Sequence, residues 1–205
     1  MPKLTLYHAA PSRSSIVHWM LEEVGEPYDV ELLSLKNGDN RKADYLKVNP
    51  MGKVPALRHG DVVVTEVAAI CTYLADAFPG SKLNVPVGDA RRGPYLKWLF
   101  FAPSCAEPAM MDHLFPRKDA PPRAALGFGD YDTTFNVLAD AVRPGPWILG
   151  AQFTAADVVI GSLLRWGMMF KGVPERAEFV DYVKRSQERP AAQRANAKDE
   201  ALAKG

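Results

Sequence analysis

The residues with the clearest chemical meaning lie in the run 49–57, Asn-Pro-Met-Gly-Lys-Val-Pro-Ala-Leu. Pro55 stands directly before an apolar pair, in a stretch that otherwise reads as a β-strand. A proline has no N–H to give to a sheet, so this strand must lie at an edge or carry a cis peptide bond. The backbone N–H and C=O groups beside Pro55 are then free to pair with a partner outside the sheet. We expect Val54 to bind an extended, peptide-like ligand through its backbone.

A second candidate site lies at the predicted start of the first helix, where Ser12, Ser14 and Ser15 bring several hydroxyl groups together. A hydroxyl beside a helix N-terminus can donate a hydrogen bond to an anion, and the positive end of the helix dipole favours the same negative charge. Serine is equally common as a helix cap, where its oxygen accepts a backbone N–H. Both interpretations stay open for each serine.

Composition limits the partners. The chain has 205 residues, with 25 Lys and Arg against 24 Asp and Glu, and a formal charge of +1. No block of like charge is present, so the sequence favours neither nucleic acid nor an acidic membrane as a partner. No signal peptide and no apolar segment of membrane-spanning length is found, which predicts a cytoplasmic protein.

The cysteines and histidines predict neither a disulfide framework nor a metal site. Cys71 and Cys105 are far apart and form no C-x-x-C motif, so each is expected to be a thiol in the core. The histidines show no metal-ligand spacing with them. A glycine-rich phosphate loop and a Ser-His-Asp arrangement are also missing from the sequence.

The first 80 or so residues predict an α/β domain. Residues 3–7 alternate like a strand, a helical apolar pattern follows and stops at Gly25, and residues 28–35 read as a second strand. Two strands joined by such a helix make a βαβ unit, whose ligand crevice lies where the first strand meets the helix. A hairpin over residues 54–58 and 62–65 and a helix over residues 67–78 complete this domain.

Residues 81–88 read as a linker, and the remainder of the chain as helix. Thr154 and Asp157 have the form of a capping box, with Asp in place of the usual Glu. The apolar helix that they open is expected to be the buried centre of a second, all-helical domain. Further helices are predicted over residues 91–101, after Pro108, over residues 124–142 and 174–188, and weakly in the charged tail.

Several motifs together resemble the cytosolic glutathione S-transferases, particularly bacterial ones. They are Leu6-Tyr7 before a serine-rich loop, the run 49–57, Thr65-Glu66 and residues 153–157, in matching order and spacing over essentially the whole chain. The resemblance implies a thioredoxin-like domain at residues 1–80, a linker at 81–88 and an all-α domain at 89–205. It also implies glutathione as co-substrate, no metal, a homodimer and a role in detoxification.

The same resemblance implies contacts with glutathione. A cis bond between Val54 and Pro55 would turn the Val54 N–H and C=O outward, toward the cysteinyl backbone of glutathione. Lys53 would meet a glutathione carboxylate, and Glu66 the γ-glutamyl ammonium. The family commonly has serine after that acidic residue. This chain has Val67 there, which leaves a backbone N–H at the helix start as the donor.

Catalysis in this family depends on stabilising the glutathione thiolate, because a thiol at its normal pKa is mostly protonated at neutral pH. We expect Ser12, and after it Ser14, to donate the hydrogen bond to sulfur. Tyr7 is the alternative, since other branches use a tyrosine at the end of the first strand. Beta-class relatives carry a cysteine in this loop and this chain has none, so disulfide chemistry by a protein thiol is not expected.

A pocket for the electrophile is expected on the helical domain, from Ser104, Met111, His113 and Trp166. The predicted reaction is attack of the thiolate on a small hydrophobic electrophile. Glutathione-dependent isomerisation or dehalogenation would use the same thiolate. The alternative from another class is a non-catalytic binding or regulatory module on the same fold, which the departure at Val67 favours.

Overall fold

The computed structural model of this chain describes residues 3–204. These residues fall into two compact units. One comprises the described parts of Met1–Asn84 and Arg189–Gly205, and the other is Val85–Glu188. The first unit carries a four-stranded sheet, and the second is helical apart from one isolated bridge between Trp147 and Gly150. The predicted fold class, a thioredoxin-like α/β domain with an all-α domain, is confirmed.

The predicted βαβ unit is present at the start of the chain. Strand β1 is Leu4–His8, helix α1 is Ser14–Val24 and strand β2 is Tyr28–Leu32. The two strands run parallel, with Leu4 beside Tyr28 and His8 beside Leu32. Helix α1 ends where predicted, because Gly25 adopts φ 79° and its N–H caps the Leu21 carbonyl at 3.0 Å.

The hairpin is formed by strands β3 (Ala56–His59) and β4 (Val62–Thr65), which turn at Gly60 with φ 59°. Strand β3 also pairs antiparallel with β1, so the sheet order is β2-β1-β3-β4. The predicted strand began at Val54. Its ladder instead begins at Ala56, because Pro55 has no N–H to donate to β1. Helix α2 (Ala43–Val48) precedes β3, and helix α3 (Val67–Ala77) follows β4 directly.

The core of the first unit lies between this sheet and the helices α1 and α3. Helices α1 and α3 contribute apolar side chains at helical spacing, and β1 and β3 contribute buried side chains that include Leu4, Leu6 and Leu57. Full burial of each such side chain stabilises the fold by about 1.5–3 kcal/mol. The side chains without any exposed surface include Leu6, Val17, Met20, Leu57, Ile70 and Leu74.

The last helix, α9 (Pro190–Lys204), belongs to the first unit and packs against α1. Residues 89–205 were expected to form the helical domain, whereas the described residues from Arg189 onward lie in the first compact unit. The apolar pattern of the tail is weak. Its buried alanines and its ion pairs hold it against the rest of the first unit. Arg189 makes two bonds of 2.7 Å to the Glu23 carboxylate.

Glu22 on α1 is the centre of a second set of contacts with α9. Its carboxylate accepts hydrogen bonds from Lys198 at 2.5 Å, Tyr28 at 2.5 Å and Arg194 at 2.8 Å. Burial of Glu22 opposes its ionisation, but these donors outweigh burial and lower its pKa from 4.5 to about 2. The Glu22 carboxylate therefore stabilises the folded state while it is ionised.

We expect this contribution to vanish in acid. A carboxyl group whose pKa is lower in the folded state contributes its full stability above its unfolded pKa. That stability is lost as the pH falls from about 4.5 toward the folded pKa of about 2. Urea unfolding of the native chain and of Glu22→Gln, measured across this window, should give two free energies that converge toward low pH. A constant gap between them would contradict the assignment.

The second unit contains helices α4 (Arg92–Phe101), α5 (Glu107–Leu114), α6 (Tyr131–Val142), α7 (Ala155–Met169) and α8 (Ala177–Gln187). A π-helical turn at Ala102–Ala106 joins α4 to α5. Among residues 3–204, no helix is long and apolar enough to cross a membrane.

Two predicted helix starts in this unit are wrong. Helix α6 was expected from residue 124 but begins at Tyr131, because Gly129 has φ 72° and Asp130 caps the helix by accepting the Thr133 N–H at 2.7 Å. Helix α8 was expected from residue 174 but begins at Ala177. In both places the helical sequence pattern begins before the residue at which the backbone enters the helix.

The capping box at the start of α7 is confirmed. Thr154 and Asp157 bond reciprocally, and the buried Asp157 carboxylate accepts the Thr154 N–H at 2.7 Å and its hydroxyl at 2.9 Å. The same carboxylate accepts the Ile148 N–H at 2.8 Å and the Tyr182 hydroxyl at 2.6 Å. Asp157 thus joins the preceding loop and α8 to the helix that it caps.

The two cysteines differ in burial, although both were expected in the core. Cys71 on α3 is fully buried, as predicted, and burial raises its thiol pKa well above the usual range. Cys105, in the π-helical turn, is only partly buried, and burial raises its pKa to a lesser extent. Both are free thiols.

Candidate functional site

The serine loop between β1 and α1 places Ser14 in the interior. Ser14 has no exposed surface. Its Oγ accepts the Ala9 N–H at 3.1 Å and lies 2.8 Å from His8 Nδ1 and 3.2 Å from the Ala9 carbonyl oxygen. These contacts fix the turn that leads from β1 into α1, so Ser14 has a structural role in the loop.

Ser12 is partly exposed and lies just before the first turn of α1. Its Oγ accepts the Ser14 N–H at 3.1 Å and is 2.7 Å from Ser14 Oγ. The Ser12 hydroxyl is therefore held at the positive end of the α1 dipole with part of its surface open to solvent. Such a hydroxyl can donate a hydrogen bond to a negatively charged ligand atom.

Tyr7 lies in a small core cluster with Tyr45 and Ala56. Only 6% of Tyr7 is exposed, and its hydroxyl accepts a hydrogen bond from Arg58 Nε at 3.1 Å. The Tyr7 and Tyr45 rings pack with centroids 5.7 Å apart. The Tyr7 side chain contributes to packing on this side of the sheet, and its hydroxyl already has a partner.

The run 49–57 is held in shape by polar contacts of its own. The Lys53 carbonyl accepts the Tyr45 hydroxyl at 2.6 Å and the Asn49 side-chain amide at 2.8 Å. Gly52 has φ 60°, and a Cβ there would meet the Asn40 carbonyl at 2.8 Å, so the turn requires glycine. The following Val54–Pro55 peptide bond is cis, as predicted.

The residues expected to bind glutathione lie in two segments, one just before β3 and one between β4 and α3. Lys53 is exposed, and Val54 lies before Ala56, where the pairing of β3 with its neighbours begins. Glu66 is exposed and connects β4 to α3. Val67 is the first residue of α3, so its N–H is among the helix N–H groups that have no partner inside the helix.

Glu66 has a strained backbone, with φ 70° and ψ 123°. Residues other than glycine avoid this region, and such a conformation costs about 1–3 kcal/mol. Residues held this way cluster at ligand-binding sites, where the geometry of the backbone has a use. Here the strain turns the chain between β4 and α3 and presents the Glu66 side chain to solvent.

The residues expected at the electrophile site lie on the helices of the second unit. Ser104 is exposed in the π-helical turn, and Met111 on α5 is partly buried. His113 is exposed and stacks on Tyr131, with ring centroids 4.1 Å apart at 17°. Trp166 on α7 is partly buried and stacks on Phe170. His113 and Trp166 thus leave part of their aromatic rings accessible on the second unit.

The structure also brings together a group that sequence spacing did not reveal. His8 on β1, His18 on α1 and Asp199 on α9 offer nitrogen and oxygen atoms within 4.8 Å of one another. Two imidazoles and a carboxylate are ligands that zinc accepts. Here Asp199 already contacts both rings, hydrogen bonding to His18 Nδ1 and lying 3.2 Å from His8 Nε2. No local motif predicts this group, because it forms only when the three elements meet.

The Asp199 carboxylate is ionised in this environment. Burial opposes the charge, but hydrogen bonds from His18, His8 and Ser15 outweigh it and hold the pKa of Asp199 well below its usual range. A partly buried negative charge therefore contacts Ser15 of the serine loop directly.

Comparisons with known proteins agree with this architecture. Residues 12–77 match the model of the glutathione S-transferase N-terminal domain. The chain is 32% identical over 203 residues to glutathione S-transferase GstA of Escherichia coli O157:H7, covering 93% of this chain and 96% of the relative.

Solved structures give the same result. A glutathione transferase from Methylococcus capsulatus is 29% identical, with a TM-score of 0.80 over 97% of this chain and 99% of its own. A glutathione transferase homologue from Sulfitobacter, solved with bound glutathione, is 26% identical, with a TM-score of 0.76 over 98% and 100%. The extent of these matches, together with the identity to the Escherichia coli enzyme, shows that this chain belongs to the glutathione S-transferase family.

Proposed function

We propose that this protein binds glutathione along the edge from Lys53 to Val67 and stabilises its thiolate with the Ser12 hydroxyl. The observation that carries the proposal is the position of Ser12 at the N-terminus of α1, partly exposed and braced by the Ser14 N–H at 3.1 Å. A thiolate close to this hydroxyl would receive a hydrogen bond and the favourable potential of the helix dipole. Both effects lower the pKa of a bound thiol.

Ser12 suits this role better than its two rivals. Ser14 is fully buried and its oxygen already contacts Ala9 and His8. Tyr7 is also buried, and its hydroxyl accepts a hydrogen bond from Arg58. A ligand sulfur could reach either of them only after the loop or the core cluster had rearranged. Ser12 requires no such change.

The backbone and charges of the neighbouring edge suit a γ-glutamyl tripeptide. Val54 lies outside the pairing of β3, so its backbone can add to an extended ligand as a strand does. Lys53 supplies a cation for a glutathione carboxylate, and Glu66 supplies an anion for the γ-glutamyl ammonium. The Val67 N–H at the start of α3 would take over from the serine hydroxyl that the family commonly has.

The reaction that we propose is attack of the glutathione thiolate on a small hydrophobic electrophile, as in detoxification. Met111 and Trp166 would supply apolar surface for it, and Ser104 and His113 polar contacts. Glutathione-dependent isomerisation or dehalogenation would require the same thiolate. Val67 in place of serine keeps the non-catalytic binding module as the second candidate. A homodimer and a cytoplasmic location stay predictions, and light scattering of the purified protein would test the first.

Glutathione binding followed by a conjugation assay distinguishes these candidates. Binding with turnover supports the transferase, whereas binding without turnover of any aryl halide or epoxide supports the binding module. Failure to bind glutathione at millimolar concentration would contradict the transferase. Calorimetry measures the binding of glutathione, and the absorbance of the conjugate measures turnover.

Glu66→Ala is expected to raise the dissociation constant of glutathione about 10- to 100-fold, since a hydrogen bond to a charged group contributes about 1.5–3 kcal/mol. Asp61→Ala is the matched control. Asp61 is an exposed acidic residue in the nearby hairpin turn, and its removal changes the net charge equally. Equal effects of the two substitutions on binding would show that Glu66 acts only through overall charge.

A further inference from the structure

The carbonyl of Lys53 accepts hydrogen bonds from two buried side chains. The Tyr45 hydroxyl on α2 donates to it at 2.6 Å, and the side-chain amide of Asn49 donates at 2.8 Å. Tyr45 is 4% exposed and Asn49 is 3% exposed. A carbonyl oxygen has two lone pairs, so these two donors together satisfy it. The Lys53 carbonyl is thereby directed toward the buried side chains at the end of α2.

The chemistry of the partners determines the direction of both hydrogen bonds. A carbonyl can only accept, so the Tyr45 hydroxyl must donate, and burial raises the pKa of Tyr45 to about 12. Asn49 Oδ1 accepts the Met51 N–H at 3.1 Å, so the NH2 group of Asn49 is the end that faces Lys53. Both donors therefore keep their protons at neutral pH.

The peptide bond after Lys53 fixes the direction of the Val54 N–H. This bond is trans and planar, so its C=O and its N–H point in opposite directions. Because the carbonyl points at Tyr45 and Asn49, the Val54 N–H points away from them. Within residues 3–204 this N–H has no hydrogen-bond partner. It can therefore donate to an acceptor on a ligand.

We propose that Tyr45 and Asn49 are positioning residues that hold the Lys53–Val54 peptide so that the Val54 N–H meets the cysteinyl carbonyl of glutathione. Neither side chain would touch glutathione, and both would act through the Lys53 carbonyl. The inference rests on the glutathione site proposed above. It adds the residues that orient the backbone donor of that site before the ligand binds.

The two side chains act by making the reversed peptide unfavourable. Rotation of this peptide would turn the Lys53 carbonyl outward and the Val54 N–H inward. The Tyr45 hydroxyl and the Asn49 amide would then face another donor, and both would lose their acceptor inside the protein. The orientation that can bind glutathione is accordingly the populated one in the free protein, so binding is not weakened by a need to select a minor state.

The surroundings allow the Tyr45 hydroxyl to be tested by itself. The preceding carbonyl, of Gly52, is held separately, because it accepts the Asn40 side-chain amide at 2.7 Å. The Tyr45 ring packs against the Tyr7 ring with centroids 5.7 Å apart, and phenylalanine would keep that contact. Removal of the hydroxyl alone should therefore leave the rest of the turn in place.

The test is Tyr45→Phe in the full chain. We expect the dissociation constant and the KM of glutathione to rise about 5- to 10-fold, the effect of one lost hydrogen bond, because part of the population then carries the reversed peptide. With saturating glutathione and an aryl halide, kcat should change by less than about twofold, since Ser12 is untouched. A folded variant with native affinity, or one that loses kcat instead of affinity, would overturn the proposal.

Tyr73→Phe is the matched control. The Tyr73 hydroxyl lies 2.9 Å from His59 Nδ1 in the same unit and has no contact with Lys53. Its removal should leave the affinity for glutathione unchanged. An equal loss of affinity in the two variants would show that any lost tyrosine hydroxyl weakens binding, and this would overturn the proposal.

A glutathione analogue separates positioning of the Val54 N–H from general loosening of the site. Replacement of the Cys–Gly amide by an alkene removes the carbonyl that this N–H would meet. The native protein should bind the analogue more weakly than glutathione, and Tyr45→Phe should bind it with the native affinity. A further loss of the same size in Tyr45→Phe would show that Tyr45 acts on another contact, contrary to the proposal.

A measurement on the native protein covers the case in which Tyr45→Phe does not fold. NMR of the Val54 amide should show fast hydrogen exchange in the free protein and protection when glutathione is bound. An amide that is protected in the free protein, or unchanged by saturating glutathione, would overturn the proposal. Absence of any glutathione binding by the native protein would instead contradict the proposed function itself.

Discussion

Asp157→Ala is expected to lower the free energy of unfolding by about 3–5 kcal/mol, because it leaves several buried donors without an acceptor at once. The Asp157 carboxylate accepts two backbone N–H groups, from Ile148 and Thr154. It also accepts the hydroxyls of Thr154 and Tyr182. Loss of the helix cap alone costs about 1 kcal/mol, and each unpaired buried donor adds to it. Chemical denaturation followed by circular dichroism measures the change.

Two further variants separate the network from simple burial. Tyr182→Phe removes one of the donors and should cost about 1 kcal/mol. Asp181→Ala removes an exposed carboxylate from α8 and should change stability by less than about 0.5 kcal/mol. The account of Asp157 is wrong if its replacement costs no more than that of Asp181.

Ser12→Ala is expected to lower kcat/KM for conjugation by about 100-fold, the loss measured when one hydrogen-bond donor to a developing anion is removed. The thiol would stay mostly protonated, so the effect should be largest at neutral pH and shrink as the pH rises. Stability should fall by no more than about 1 kcal/mol, since Ser12 is partly exposed and contributes one contact to a backbone N–H. Steady-state rates over a pH series, together with a thermal melt, measure both quantities.

Ser14→Ala and Ser12→Thr complete that experiment. Ser14→Ala leaves the buried Ala9 N–H without its acceptor and should therefore destabilise the protein more than Ser12→Ala does. Ser12→Thr keeps a hydroxyl and should recover part of the rate. If Ser14→Ala abolished turnover and Ser12→Ala did not, the thiolate donor would be Ser14.

The parts of this fold that could be predicted from sequence have local causes. Gly25 ended α1 because only a residue that tolerates positive φ fits there. The Thr154–Asp157 capping box was legible because the spacing of a cap is set by the first helical turn. The missing N–H of Pro55 in a strand-like run left an edge position or a cis bond open, and the family resemblance favoured the cis bond that is found.

The parts that could not be predicted depend on contacts between distant residues. Asp199 and His18 are 181 positions apart, and no periodicity connects them. Helix α9 is held in the first unit by ion pairs such as that of Arg189 with Glu23. The charged residues of the tail do not indicate by themselves which residues they will pair with. The strained backbone of Glu66 was equally hidden, because only the turn from β4 into α3 imposes it.

The central claim, that Ser12 stabilises a glutathione thiolate, is tested most directly by titrating the thiol of bound glutathione through its ultraviolet absorbance. In the native protein the thiol pKa should lie at least about one unit below that of free glutathione, which corresponds to about 1.4 kcal/mol of thiolate stabilisation. In Ser12→Ala it should return toward the free value while glutathione remains bound. An equal pKa in the two proteins, with both saturated, would contradict the account.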